Sequence, residues 1–230
     1  MNLILTAAGK YSRFREAGYN IPKYLLPFGN RSILSEILHN LVHNPVVEKV
    51  YLIVNNSDES FLGHTRKIME AHGLDKNNII MMSDTKGQAE TAYKALKHIK
   101  PKGAVLFHNI DTILYNRDLE AIANALKECD GYIDVFRSQN HAYSYVVEKD
   151  KRVSMISEKV LVSDLATSGL YGFKDAEEFR FHEDGFTYIS EVYKDMIEHE
   201  RCVRIGKVHD EKDTIVLGTP EDYLKYSASL

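Results

Sequence analysis

Short apolar runs alternate with segments of helical periodicity through the first 136 residues of this 230-residue chain. The apolar runs have the length of buried strands and lie at Leu3–Leu5, Val50–Val54, Ile79–Met82, Val105–Phe107 and Tyr132–Phe136. Between them, apolar residues recur three and four positions apart, at Leu34, Ile37, Leu38 and Leu41 and again at Ala92, Ala95, Leu96 and Ile99. Strands that alternate with amphipathic helices predict a Rossmann-like α/β fold, with a mixed, mostly parallel sheet and helices on both faces.

The pattern changes from about residue 143 onward. The later elements are a hairpin over residues 143–159 with its turn at Glu148–Lys151, a strand over residues 168–173, a helix over Ile189–Glu200 and a strand over Cys202–Val208. No linker rich in Pro, Gly or Ser separates the two halves. We therefore expect a single domain over residues 1–230, whose second half completes the sheet.

Charge and composition argue against several classes of function. The formal net charge is -4 and no basic block is present, which argues against a nucleic-acid partner. No stretch approaches the ~20 apolar residues of a membrane span, and Lys10, Arg13 and Arg15 interrupt the first apolar run too early for a signal peptide. Two cysteines, Cys129 and Cys202, are typical of reduced thiols in a chain this long. We expect a cytoplasmic protein without a membrane partner; the oligomeric state, a homo-oligomer included, is left open.

The first strand leads into a segment with the features of a phosphate-binding loop. Residues 2–14 read NLILTAAGKYSRF, so the chain leaves the strand through an Ala-Ala-Gly turn. Small residues permit a tight turn and let main-chain N–H groups approach an anion. Arg13 adds a planar charge suited to phosphate oxygens, and Lys23 follows behind Pro22. The residues alone also allow an ordinary strand and loop with two solvated cations.

An apolar strand, Ala-Ala-Gly, two residues, Ser/Thr-Arg and a later Pro-Lys together resemble the signature of the sugar-1-phosphate nucleotidyltransferases. These enzymes, found in cell-surface polysaccharide biosynthesis, exchange the pyrophosphate of an NTP for a sugar phosphate, and their fold is related to the GT-A glycosyltransferase fold. The resemblance implies a loop around the triphosphate, an arginine that neutralises it and a lysine at the reacting phosphate. These roles fall on Ala7, Ala8, Gly9 and Ser12 for the loop, on Arg13 and on Lys23. Tyr11 stands where the family usually has a second glycine.

Two further segments extend the resemblance on the nucleotide side. TKGQAETAYKAL (85–96) places a Gly-Gln-Ala turn at the start of a helix, and the matching family segment holds the nucleobase, which implies that role for Gly87 and Gln88. A plain helix start with an exposed glutamine is the alternative. VLFHNIDTIL (105–114) carries Asp111 just beyond a strand, where the family places a metal-binding Asp. The resemblance therefore implies Asp111 as a ligand of Mg²⁺, the expected cofactor, although an Asp after a strand is often a turn residue.

The acceptor side of the resemblance lies in the second half of the chain. SMISEKVLVSDLATSGLYGF (154–173) is similar to the Glu-Lys pair of the family, followed by a small residue, glycine, an apolar residue and tyrosine. In the family this pair contacts the sugar phosphate, which implies acceptor roles for Glu158 and Lys159. Gly169 would allow a close approach of the sugar ring. Taken without the resemblance, the pair could equally be two solvated surface charges.

The C-terminal segment DTIVLGTPEDYLKY (213–226) is similar to the Gly-Thr-Pro-Glu-Asp segment of the family. Thr219 as N-cap, followed by a proline, predicts a helix start. Many members carry a second metal-binding Asp two residues before the glycine, where this chain has Val216. Asp213, or Asp210, is the candidate for that second metal ligand.

The resemblance predicts a Mg²⁺-dependent nucleotidyltransferase that joins an NTP to a sugar 1-phosphate and releases pyrophosphate. Residues 1–136 would hold the nucleotide, and residues 137–230 the sugar phosphate. Two alternatives stay open: a glycosyltransferase that binds an NDP-sugar through Asn109 and Asp111, and a non-catalytic nucleotide- or sugar-binding domain. The nucleobase is also open, as is the acceptor, which could be a hexose, a heptose or a non-sugar phosphate such as phosphocholine.

Overall fold

Strands and helices alternate through the first half of the structure, and a hairpin and longer strands follow in the second half. The computed structural model describes residues 1–182 and 185–227. The strands are β1 (Asn2–Ala7), β2 (Pro27–Phe28), β3 (Arg31–Ser32), β4 (Lys49–Asn55), β5 (Ile79–Met82), β6 (Val105–Asn109), β7 (Thr112–Leu114), β8 (Gly131–Arg137), β9 (Ser144–Lys149), β10 (Arg152–Glu158), β11 (Leu165–Phe173), β12 (Val203–His209) and β13 (Thr214–Val216). The helices are α1 (Ser12–Glu16), α2 (Ile33–Leu41), α3 (Leu62–Ala71), α4 (Gln88–Ile99), α5 (Leu119–Glu128), α6 (Ile189–Glu198) and α7 (Pro220–Ser227).

Strand β1 occupies the middle of a nine-stranded mixed sheet. It pairs in parallel with β4 on one side and with β6 on the other, and β5 extends the parallel part beyond β4. Strand β11 pairs antiparallel with β6 at its end, with β8 at both its start and its end, and with β9 of the β9–β10 hairpin near its start. Strand β12 runs parallel to β8. The parallel central strands therefore end at one edge of the sheet, where the loops that follow them gather.

Side chains along β1 alternate between two apolar layers, one on each face of the sheet. Leu3 and Leu5 pack into the layer that contains α2, α3 and α5, whereas Ile4 packs into the layer that contains α4 and α6. Because both faces are covered, a strand in this position is apolar at consecutive positions, as β1 is from Leu3 to Leu5. The predicted α/β fold with helices on both faces is confirmed.

Most predicted elements lie close to their expected bounds, but two short pairs of strands have no signal in the sequence. The hairpin turn lies between β9 and β10 as predicted, β11 begins before the predicted Ser168, and α6 ends at Glu198 rather than Glu200. The unpredicted pairs are β2 with β3 and β7 with β13, and each forms an antiparallel ribbon. Strands of three residues or fewer are too short to show a hydrophobic period. No helix within the described residues combines the length and apolar character needed to cross a membrane.

A buried ionic cluster links the β7–β13 ribbon to the main sheet. Arg117 Nε donates to Asp134 Oδ2 on β8 at 3.0 Å, and Arg117 Nη1 donates to the backbone oxygens of Tyr115 and Asp213 at 2.9 and 2.6 Å. The side chains of Arg117 and Asp134 are 1% and 0% exposed. Burial raises the pKa of Asp134, and the charge of Arg117 opposes that rise. The buried carboxylate therefore depends on its guanidinium partner.

Arg117→Met should lower the free energy of unfolding by about 3–5 kcal/mol, because it leaves the Asp134 carboxylate buried without a counter-charge. Urea unfolding measures the change. Arg137→Met is the matched control, since the side chains of the Arg137–Asp164 pair are 60% and 50% exposed. Its loss should change the unfolding free energy by less than ~1 kcal/mol. Equal unfolding midpoints for the two variants would contradict the role given to Arg117.

Both cysteines, Cys129 and Cys202, are free thiols. Cys129 is buried, and its Sγ lies 3.1 Å from the backbone oxygen of Ala125. Burial raises the pKa of the Cys129 thiol to about 11. This thiol stays protonated near neutral pH and acts as a packing residue.

Candidate functional site

Two cavities meet at the carboxyl ends of the central strands. The first, of about 360 Å³, is lined by residues that follow β1, precede α4 and follow β6. The second, of about 350 Å³, is lined by residues of β9, β10 and β11 and by residues around the start of α7. Gln88, Asn109 and Asp111 line both cavities and form a shared wall. Molecules bound in the two cavities would meet at this wall.

The loop between β1 and α1 borders the first cavity. Ala7 ends β1 and is buried below the cavity, while Ala8 and Gly9 lie in its wall. Ser12 begins α1 with its side chain exposed, and it belongs to neither cavity wall. Of the predicted loop residues, the structure therefore brings Ala8 and Gly9 to the cavity, supports them with Ala7, and leaves Ser12 outside.

Tyr11 takes the left-handed backbone conformation immediately before α1, with φ 50° and ψ 35°. Glycine adopts this conformation freely, whereas a side chain makes it unfavourable. The Tyr11 hydroxyl donates a hydrogen bond to the backbone oxygen of Ala7. The loop therefore has a glycine-like backbone at the position where the family usually has glycine.

Lys23 and Asp111 form an ion pair in the wall of the first cavity, with Nζ 3.5 Å from Oδ2. Lys23 is only 4% exposed, and its Nζ also lies 4.8 Å from the centre of the Phe14 ring. Burial lowers the pKa of Lys23, and the Asp111 carboxylate opposes that shift. Because the Asp111 side chain is 38% exposed, the pair is accessible from the cavity. A buried ammonium with a single partner is suited to receive a further anion.

Arg13 extends the positive charge into the second cavity, whose wall it forms in part. Its charge adds to the lowering of the pKa of Lys23, behind the larger effect of burial. It also opposes the rise in the pKa of Lys159 that hydrogen bonding to Tyr188 causes. Arg13 therefore acts electrostatically on both lysines, and the three cations gather around the junction of the cavities.

The Gly87–Gln88 turn joins the two halves of the site. A Cβ at Gly87 would lie 2.5 Å from the backbone oxygen of Thr187, so only glycine fits there. The Gln88 side chain donates from Nε2 to Asn109 Oδ1 and accepts at Oε1 from the Ile189 N–H at 3.4 Å. Gln88 lies in the shared wall with its amide held by the protein, and Gly87 lies in the wall of the first cavity.

Glu158, Lys159 and Gly169 all lie in the wall of the second cavity. Glu158 Oε2 accepts hydrogen bonds from the hydroxyls of Ser144 and Ser190, the latter at 2.8 Å. Lys159 Nζ donates to the Tyr188 hydroxyl at 3.0 Å. Gly169 has φ +88°, and a Cβ there would lie 2.9 Å from Asn109 Nδ2. The structure thus explains why glycine stands at position 169: it leaves room for the Asn109 side chain.

The second cavity also contains polar residues for which the sequence gives no functional signal, namely Asn140, Tyr143, Tyr188, Ser190 and Asp222. Asp222 belongs to the Gly-Thr-Pro-Glu-Asp segment, but the pattern indicates only its role at the helix start. There its carboxylate accepts hydrogen bonds from the N–H and hydroxyl of Thr219 at 3.1 and 2.9 Å. Tyr188 and Ser190 flank the start of α6 and reach the cavity only through tertiary packing.

Asp213 lies outside both cavities, which corrects its assignment as a metal ligand. Its carboxylate accepts from Asn116 Nδ2 at 2.9 Å, and its backbone oxygen accepts from Arg117. Asp210, the other substitute, forms an exposed pair with Lys212 at 3.9 Å. Val216 does line the second cavity, but it offers no ligand atom. Asp213 is a structural residue of the β7–β13 ribbon.

The donor atoms at the junction fit a metal site that a substrate completes, rather than a protein cage. Among the described residues, no group of three or more His, Cys, Asp or Glu side chains could hold a metal ion. Mg²⁺ is commonly bound by one or two carboxylates together with phosphate oxygens and water. Asp111 supplies one partly exposed carboxylate at the shared wall. This donor set is compatible with Mg²⁺ only when phosphate oxygens are present.

The fold and the paired cavities define an α/β protein whose ligand site lies at the carboxyl ends of its parallel strands. The chain belongs to the family of MobA-like NTP transferase domains, whose family model matches residues 3–166. The resemblance predicted from the sequence is thereby confirmed at the level of the family.

Individual relatives agree with this assignment. The chain is 28% identical over 206 residues to the bifunctional protein GlmU of Methanococcus aeolicus; the match covers 86% of this chain and 47% of that protein. The chain thus spans about half the length of this curated relative. A nucleoside-diphosphate-sugar pyrophosphorylase from Vibrio cholerae RC9 superposes with a TM-score of 0.83 at 25% identity, covering 99% of this chain and 100% of that chain. A UDP-glucose pyrophosphorylase complexed with UDP-glucose shares the fold, with a TM-score of 0.74 at 14% identity and coverage of 99% and 97%.

Proposed function

We propose that this protein transfers a nucleotidyl group from an NTP to the phosphate of a sugar 1-phosphate or a related phosphate monoester. An acceptor phosphate oxygen attacks the α-phosphorus, the bond from that phosphorus to the bridging oxygen breaks, and pyrophosphate leaves. The observation that carries the proposal is the junction of the cavities. There the Lys23–Asp111 pair faces a cavity of nucleotide size, and the neighbouring cavity is lined by Arg13 and Lys159.

The proposed reaction needs charge neutralisation and alignment more than a protein nucleophile. A phosphate monoester is already ionised near neutral pH, so no general base is required. Lys23 would contact the α-phosphate, and Arg13 would stabilise the charge on the departing pyrophosphate. Ala8 and Gly9 would pass close to the phosphates along the wall of the first cavity.

Polar groups in the second cavity support a hydroxyl-rich acceptor such as a sugar. Glu158 presents a carboxylate whose position is fixed by two serine hydroxyls. Asn140, Thr167 and Thr219 add further hydrogen-bonding groups to the wall. In this proposal residues 1–136 hold the nucleotide, and residues 137–230 hold the acceptor. The Vibrio cholerae neighbour, named as a nucleoside-diphosphate-sugar pyrophosphorylase, supports an NDP-sugar as the product.

Mg²⁺ is the proposed cofactor, with Asp111 as its protein ligand. When bound, the ion would neutralise phosphate charge during the transfer. Lys23 pairs with Asp111 Oδ2 and Thr112 donates to Asp111 Oδ1, both at 3.5 Å, and the Asp111 side chain remains 38% exposed at the shared wall. A cytoplasmic location accompanies the proposal, because both substrates are small ionised metabolites, and the product would serve polysaccharide biosynthesis.

A pyrophosphate-release assay tests the proposal directly. CTP, UTP, dTTP, GTP and ATP are each combined with a panel of hexose and heptose 1-phosphates and with phosphocholine, in the presence of Mg²⁺. We expect one pairing to release pyrophosphate together with an equal amount of the nucleotidylated acceptor. If no NTP in the panel releases pyrophosphate with any acceptor, the proposal fails.

A glycosyltransferase that binds an NDP-sugar through Asn109 and Asp111 is less compatible with the structure. The Asn109 side-chain oxygen accepts a hydrogen bond from Gln88, so a metal site shared by Asn109 and Asp111 would require that hydrogen bond to break. Calorimetry with NTPs and NDP-sugars separates the two functions. A non-catalytic binding domain would bind NTPs in calorimetry and release no pyrophosphate in the assay above.

A further inference from the structure

Tyr11 holds a side chain at a backbone position that favours glycine. Its φ is 50° and its ψ is 35°, and the first turn of α1 begins directly after it, with the Arg15 N–H donating to the Tyr11 oxygen at 3.0 Å. A left-handed conformation is unfavourable for a residue with a Cβ and persists only where its surroundings hold it. The side chain must therefore make contacts that hold this conformation in place.

Those contacts close the β1–α1 loop from its inner side. The Tyr11 hydroxyl reaches back to the oxygen of Ala7, at the end of β1. The ring passes beneath Gly9, with Cε1 3.8 Å from the place that a Cβ of Gly9 would occupy. Burial raises the pKa of Tyr11 well above its ordinary value, so the hydroxyl remains a donor near neutral pH. The ends of the loop are thus joined by a side chain of the loop itself.

The same ring connects the loop to the segment that carries Lys23. Tyr11 packs edge-to-face against Tyr24, with 6.4 Å between ring centres and 66° between ring planes. Tyr24 is fully buried and follows Lys23 directly. Arg13 lies two residues beyond Tyr11 in the opposite direction. One aromatic side chain therefore stands between the two segments that place cations at the site.

We infer that Tyr11 is a positioning residue, which preforms the loop and the Lys23 segment for the triphosphate of the nucleotide, an inference that rests on the proposed function. A glycine-rich loop must be ordered by its ligand, at an entropic cost that weakens binding. The loop here is ordered by Tyr11 before the nucleotide arrives. Because Tyr11 also lines the first cavity, Tyr11→Phe, which keeps the ring at that wall, separates the loss of the hydrogen bond to Ala7 from the loss of a contact with the nucleotide.

Two variants separate this role from simple tolerance of a bulky residue. Tyr11→Phe keeps the ring and removes the hydrogen bond to Ala7. Tyr11→Gly relieves the left-handed backbone and removes both contacts. If the side chain were only tolerated, the glycine variant would bind nucleotide as well as the wild type does. If Tyr11 preforms the loop, the glycine variant should bind nucleotide worst.

Titration calorimetry with CTP, UTP, dTTP, GTP and ATP in Mg²⁺ buffer identifies the NTP that binds the wild type most tightly, and that NTP is used throughout. We expect Tyr11→Phe to weaken its binding about 5-fold, which is the size of one lost hydrogen bond. Tyr11→Gly should weaken it by about 10-fold or more. The KM for the NTP should rise in parallel, and the KM for the acceptor should stay within about 2-fold.

Tyr193→Phe is the matched control. Its hydroxyl also donates to backbone oxygens, those of Tyr132 and Gly172 at 3.0 and 2.7 Å, but within the core beneath the sheet. This variant should lower the melting temperature and leave the KM for the NTP unchanged. Equal NTP affinity of Tyr11→Gly and wild type would overturn the inference.

The binding and turnover measurements test the role of Tyr11 and the proposed function separately. A wild type that binds the NTP but releases no pyrophosphate refutes the proposed function, while the comparison of affinities still tests Tyr11. A wild type that releases pyrophosphate, together with a glycine variant of equal affinity, refutes the role of Tyr11 and leaves the function intact. A wild type that binds no NTP overturns both.

Discussion

Lys23→Met should lower the rate of pyrophosphate release by about 10²–10³-fold, the usual effect of removing one charge-stabilising group from a transition state. Lys23 is the most buried of the three cations at the junction, and its Nζ is held 3.5 Å from Asp111. Lys10 lines the same cavity, but its side chain is 63% exposed and its Nζ pairs with Asp84 at 2.9 Å. Steady-state pyrophosphate release, compared with the wild type under saturating substrates, measures the loss.

The same substitution should leave stability unchanged or raise it. The Lys23 ammonium carries a desolvation penalty because the residue is only 4% exposed. The same burial lowers the pKa of Lys23. Methionine fills a similar volume without that penalty, and Asp111 stays hydrated because its side chain is 38% exposed. A melting temperature at or above that of the wild type, together with lost turnover, would separate function from folding.

Lys76→Met is the control for a general effect of losing positive charge. The Lys76–Glu70 pair lies at the surface, with side chains 51% and 48% exposed, and it lines neither cavity. Its turnover should match that of the wild type within about 2-fold. If Lys23→Met remains folded and keeps more than about a tenth of the wild-type rate, Lys23 does not act at the reacting phosphate.

Asp111→Asn should reduce turnover by about 10³-fold or more and remove the response to Mg²⁺, because the amide keeps the shape of the side chain but loses the charge that the ion needs. In the wild type, EDTA should stop pyrophosphate release and added Mg²⁺ should restore it. A rate that persists in EDTA would contradict the metal role of Asp111.

Asp213→Asn is the matched control for Asp111. The Asp213 carboxylate accepts from Asn116 at the surface of the ribbon and lines neither cavity. Its turnover and Mg²⁺ dependence should therefore equal those of the wild type. A loss of Mg²⁺ response in this variant would restore Asp213 as a metal ligand and contradict its placement in the structure.

The sequence by itself determines the alternation of strands and helices, and with it the α/β fold. Strand β1 is apolar at consecutive positions because both of its faces are covered, and α2 repeats its apolar residues at helical spacing because one face is covered. These signals are local, so each can be detected within one element. The position of Asp111 after β6 is local in the same sense, since a strand end fixes which edge of the sheet the next residues occupy, whereas the contact of Lys23 with Asp111 spans 88 positions of the chain.

Only the tertiary structure decides which residues of distant segments share a wall. Asn116 and Asp213 are 97 positions apart in the chain, and their contact assigns Asp213 to the β7–β13 ribbon rather than to a metal. Tyr188 reaches Lys159 through the packing of α6 against β10, and Gln88 is held by Ile189 through the packing of α6 beside α4. Such contacts leave no period or motif in the sequence, because each depends on the relative placement of two elements. Local patterns therefore predict the fold, the family resemblance points to candidate residues in both cavities, and long-range packing decides which of those residues share a wall.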